Sequence, residues 1–131
     1  MPITVIYRED GGVMFDAGEG TLTGEDVVEA NKSIYADETK LTKLKYQLCD
    51  YTKAEKFEFS DSEIRIIAEQ DRNAAALNPR MLVAIAGSDD LMFGLARMWE
   101  AYVDQAGFET AVFRELEAAE SWIEAQLQKH S

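Results

Sequence analysis

The chain opens on a run of β-branched and aromatic residues, Ile3-Thr4-Val5-Ile6-Tyr7, and a second apolar run, Val13-Met14-Phe15, follows Glu9-Asp10-Gly11-Gly12. The intervening residues tolerate positive φ, so the pattern predicts an opening β-hairpin. Gly18-Glu19-Gly20-Thr21 breaks the second strand. Thr23 with Asp26 three residues on resembles a capping box and predicts a helix from near Gly24. Val27, Ala30 and Ile34 recur at helical spacing with Val28 and Tyr35 beside them, which gives that helix a face to bury. Residues 44–51 read as a third strand. Residues 53–59 are polar apart from Phe57 and Phe59, a strand-like alternation inside what otherwise reads as a loop. Ser60-Asp61-Ser62-Glu63 is a full capping box and opens a second helix, which carries Ile64, Ile67 and Ala68 on one stripe and stops at Asn78-Pro79.

Met81-Leu82-Val83-Ala84-Ile85-Ala86 is apolar without alternation, the pattern of a central strand covered on both faces. Gly87-Ser88-Asp89-Asp90 then supplies a turn and cap residues. A helix over residues 91–103 follows, with Leu91, Leu95, Met98 and Tyr102 as its stripe, and Gly107 ends it. Thr110-Ala111-Val112-Phe113 makes a last strand. Leu116, Ala119, Ile123 and Leu127 mark a closing helix with Trp122 on its flank. The order ββαβαβαβα predicts one α/β domain over residues 1–131: a mixed, mostly parallel five-stranded sheet with about four helices. Crossovers should be right-handed and the first strand antiparallel to its neighbour.

Composition agrees with one globular core, since 47% of the 131 residues are hydrophobic and 29% charged. Charge changes the picture more. The 13 bases and 25 acids leave −12, which excludes general attraction to nucleic acid or anionic lipid. Each half of the chain nets −6, so there is no charged tail. Residues 40–56 are the local exception: five lysines there face only Asp50 and Glu55, and such a patch either is solvated or meets an acidic partner. Cys49, the single cysteine, cannot form an internal disulfide and fits a buried strand. No basic leader and no run of 18 apolar residues is present, so a cytoplasmic protein without stable membrane insertion is expected.

Candidate chemistry is sparse. Ligands of open parallel sheets bind beyond the carboxyl ends of the strands, which points to Asp16, Asp50, Ser88 and Arg114. One reading has Asp16 and Asp50 hold a divalent cation, with Ser88 and Arg114 assisting phosphoryl transfer to Asp50. The plainer reading is preferred, because no strand ends in paired acids and an arginine stands where a flexible lysine would serve better. In it Asp89 or Asp90 caps a helix, Asp50 bonds turn amides, and Asp16 faces solvent. His130 is the sole histidine, so no Ser/His/Asp, Cys/His or Cys/His-metal set can be built, and neither a catalytic residue nor a cofactor is assigned. The helix over residues 91–103 is apolar nearly all round. Its second face, Met92, Phe93, Trp99 and Tyr102, is the candidate surface for a neighbouring helix, a partner protein or an apolar ligand, and Gly94 suggests a close approach there.

Phe93-Gly94-Leu95-Ala96-Arg97-Met98, then Val112-Phe113-Arg114, then Glu117-Ala118-Ala119 with Trp122-Ile123, resemble the small bacterial SpoIIAA-like family, which is related to STAS domains. Asp50 after the third strand and residues 60–64 opening a helix agree with it. The resemblance implies a mixed five-stranded sheet with helices, similar also to the lipid-binding Sec14 domain. STAS anti-sigma-factor antagonists are switched by phosphorylation of the serine in an Asp-Ser-x-Gly motif. Asp61-Ser62 matches its first half and marks Ser62 as the candidate site, but Ile64 stands in the glycine's place, and a plain helix-start role for Ser62 is preferred. The reading adopted is a non-catalytic regulatory or protein-interaction module, self-associating as a homodimer or binding another protein; the alternative is a binder of a small apolar or lipid-like ligand between the sheet and the 92–102 helix, and a Mg²⁺-dependent phosphoacceptor ranks last.

Overall fold

β1 (Ile3–Tyr7) and β2 (Gly12–Ala17) form the opening hairpin, antiparallel from Ile3 opposite Ala17 to Tyr7 opposite Val13. In the computed structural model, which describes residues 3–104 and 106–129, Arg8 N–H donates to Gly12 O across the turn, and Gly11 takes φ +97°. A side chain at that φ would be strained. Then come β3 (Thr21–Thr23), α1 (Gly24–Tyr35), α2 (Glu38–Leu41), β4 (Tyr46–Asp50), β5 (Lys56–Glu58) and α3 (Asp61–Leu77). β6 (Leu82–Ala86), α4 (Asp90–Val103), β7 (Glu109–Phe113) and α5 (Leu116–Lys129) complete the order. Both expected capping boxes form. Thr23 Oγ1 accepts from Asp26 N–H while Asp26 accepts from Thr23 N–H, and Ser60 and Glu63 exchange the same pair of bonds.

The main sheet has the order β1-β2-β4-β6-β7, parallel except for β1. Cys49, Val83 and Ile85 face α1, α3 and α4, whereas Tyr46, Leu48, Leu82, Ala84 and Ala86 meet Ala119 and Ile123 of α5. One face of the sheet therefore carries three long helices and the other a single one. Covered on both sides, β4 and β6 are buried at every position, which is why their sequences do not alternate. Gly12 sits where a Cβ would meet the Tyr46 ring at 2.0 Å, so the missing side chain is what seats that ring, whose hydroxyl donates to Asp10.

The structure adds to the expected order. β3 and β5 pair in parallel as a small second sheet, with Leu22 opposite Phe57, and α2 is a single capped turn on Asp37. Among the described residues this makes five helices where about four were expected, the fifth being the single turn of α2. α4 stops at Val103, ahead of Gly107, which takes φ +102° before the buried Phe108.

Candidate functional site

The four rim groups lie at the carboxyl ends of their strands but fall into two separate sets. Asp16 and Asp50 are register partners on β2 and β4. Asp16 is paired with Lys53 Nζ at 3.1 Å, and this carboxylate raises the lysine's pKa through their hydrogen bond. Asp50 is fully buried; its Oδ1 accepts from Thr52 N–H at 3.1 Å and Thr52 Oγ1 at 2.6 Å, while Oδ2 has no partner among the described residues. Across β6, Ser88 Oγ donates to Arg114 O at 2.8 Å, and Arg114 is held by Asp90 at 2.6 Å with its guanidinium 4.4 Å from the centre of the Phe93 ring. Each rim group is thus tied to a local partner. Asp89 is the α4 cap, accepting from Leu91 and Met92 N–H. Among the described residues no group of three His, Cys, Asp or Glu side chains could hold a metal ion, and His130 lies outside them.

α4 buries the stripe next to the one expected. Met92, Ala96, Trp99 and Val103 are buried against the sheet, so Met92 and Trp99 belong to the core and not to a contact surface. The outward stripe is Leu91, Leu95, Met98 and Tyr102, with Leu91 56% and Met98 40% exposed and the other two half-buried. The shift has a simple origin: both stripes are apolar and differ by one position, about 100° around the helix, and only the larger Trp99 and the shape of the sheet decide between them. Phe93 is half-buried under Arg114. Gly94 is exposed, and a Cβ there would touch nothing within 4 Å, so no close approach explains it. Ser62 is exposed in the first turn of α3, with its hydroxyl 3.1 Å from that of Ser60.

A polar cluster in the core has no counterpart among the sequence expectations. Asp71 of α3 is buried between α1 and α4, where Trp99 Nε1–H donates to its Oδ2 at 2.7 Å and Asn31 Nδ2–H to its Oδ1 at 3.3 Å. The Tyr35 hydroxyl lies 2.7 Å from Asp71 Oδ1 and 2.8 Å from Gln47 Oε1. A hydroxyl carries one proton and cannot satisfy two acceptors at once. Tyr35 therefore donates to one of the two and accepts from the other: from a protonated Asp71, or from the Gln47 amide with its nitrogen turned toward the hydroxyl. Burial pushes the Asp71 carboxyl up to about 6 against the opposing hydrogen bonds from Tyr35, Trp99 and Asn31. Burial likewise raises the Tyr35 hydroxyl and takes the neighbouring Cys49 thiol to about 12. Beside the cluster is a cavity of about 30 Å³ lined by Cys49, Ile67, Met92 and Trp99. It has room for about one water molecule. A larger apolar ligand between sheet and α4 would have to displace Met92 and Trp99.

The chain is similar to a crystal structure of an uncharacterised DUF3478-family protein with a SpoIIAA-like fold from Shewanella loihica PV-4, with a TM-score of 0.51, 23% identity, and coverage of 92% of this chain and 91% of that one. The chain has a SpoIIAA-like fold. No family profile and no curated protein sequence matches it. Within the SpoIIAA-like sheet, β1 is the antiparallel edge and β7 the opposite edge, and the rim groups stand along the carboxyl ends of the parallel strands between them. No helix among the described residues is long and apolar enough to cross a membrane.

Proposed function

We propose that the chain is a non-catalytic, cytoplasmic protein-interaction module that associates with a second copy of itself through the outer face of α4. The observation carrying this reading is the Leu91-Leu95-Met98-Tyr102 stripe, four large apolar side chains in line on a helix about 21 Å long. The charges beside it are balanced: Arg97 pairs with Glu100, Arg65 pairs with Asp61, and Arg65 also lies over the Tyr102 ring. Two chains of net charge −12 repel one another over most of their surfaces, and a patch with both signs interspersed lets identical faces meet. The local ties of Asp16, Asp50, Ser88 and Arg114 support an architectural use of the rim, in line with the module reading.

Sedimentation equilibrium tests the proposal. The wild-type chain is expected at twice 14.7 kDa, and Met98→Asp at the monomer mass with an unchanged circular dichroism spectrum. A wild-type chain that remains monomeric at every accessible concentration, or a folded Met98→Asp chain that still dimerises, overturns it.

A further inference from the structure

At the amino-terminal ends of β4, β6 and β7, opposite the rim, a cleft of about 650 Å³ is bordered by Lys43, Lys45 and Arg80. Its volume lies in the range of small-molecule sites. Six of the 13 bases, Arg8, Lys32, Lys53, Arg65, Arg97 and Arg114, have a carboxylate within 4 Å; of the seven with none among the described residues, Lys43, Lys45 and Arg80 border this one cleft. In a chain with 25 acids and 13 bases, three bases gathered on one cleft without a paired carboxylate form a positive site against the prevailing field. The backbone under them is fixed. Asn78 Nδ2 donates to Leu41 O at 2.8 Å and Leu44 O at 2.7 Å, Lys45 N–H donates to Gly11 O, and Lys45 O accepts from Leu82 N–H.

The geometry points to a binding site for a small amphiphilic anion, a carboxylate, sulfonate or phosphate on an apolar skeleton. The head group would lie among Lys43, Lys45 and Arg80, and the apolar body over Leu44, Leu82 and Leu127. Glu109 is the one acid among the lining residues and disfavours a ligand with a second negative charge at its far end. No residue of the α4 stripe lines the cleft, and the site stands or falls separately from that stripe.

The probe is 8-anilinonaphthalene-1-sulfonate, followed by fluorescence and by amide chemical shifts. Saturable binding is expected, with shifts at residues 42–45, 78–82 and 107–109, and with affinity falling as salt rises. Lys43 and Arg80 are exposed, and Lys43→Gln with Arg80→Gln is expected to weaken binding at least about tenfold, while Arg80→Lys retains most of it. Absence of saturable binding, an unchanged affinity in the folded double variant, or shifts centred on α4 overturns the assignment.

Discussion

Replacing Asp71 by asparagine removes a buried ionisable group while keeping its size, and its effect can be worked from the core cluster. Asp71 is raised from 3.8 to about 6 in the native state, chiefly by desolvation. Native protein therefore binds this proton more tightly than unfolded protein does, and the slope of unfolding free energy with pH is negative between the two values. The stabilisation is fully present below about 3.8 and is lost as pH rises through about 6. A shift of this size corresponds to about 3 kcal/mol across the window, or roughly 10 °C in Tm for a domain of this length. The substituted side chain titrates nothing, and its amide can donate to Tyr35 while its oxygen accepts from Trp99. Urea unfolding of both proteins from about pH 4 to about 7.5 isolates the effect, because the other carboxylates cancel in the difference. The wild type should lose about 2 kcal/mol relative to D71N across that range, the remainder of the effect lying below about pH 4. A difference that stays level with pH, or that rises, would refute the raised pKa.

Two further outcomes follow from buried groups. Asn78→Ala strips the donors from the Leu41 and Leu44 carbonyls and should cost about 2–4 kcal/mol in urea unfolding; a loss below about 0.5 kcal/mol would show that the loop is held by other means. Cys49, with its thiol raised from 9.0 to about 12 by burial, should react with a disulfide reagent at about pH 8 roughly a thousandfold more slowly in the native protein than in urea, and comparable rates would contradict its placement in the core.

The main sheet is legible in the sequence because its signals are local and redundant. Ile3–Tyr7, Leu82–Ala86 and the two capping boxes each have a pattern that no neighbouring segment can imitate. β3, β5 and α2 are three or four residues long, shorter than either periodicity, and exist because chain segments already fixed elsewhere bring Leu22 against Phe57 and Asp37 to the start of a turn. On α4 two apolar stripes compete, and tertiary packing rather than periodicity selects the one containing Trp99. Asp71 leaves a signal that can be followed: it stands in register with Ile64, Ile67, Ala68, Ala74 and Ala75 on the buried stripe of α3, as Asn31 does with Val27, Ala30 and Ile34 on α1. A polar residue on such a stripe marks an internal partner. The basic cleft is visible only as a lysine-rich stretch, because Arg80 joins Lys43 and Lys45 through the fold and not through the sequence.

The uneven cover of the sheet bears on how the chain is made. Leu48, Leu82 and Ala84 rely on α5 alone for shelter, and α5 leaves the ribosome after every strand it covers. Until residues 116–129 emerge, the nascent chain holds a bare apolar wall that no earlier segment can screen, so synthesis rate and chaperone access over that short interval govern how much of the protein escapes aggregation.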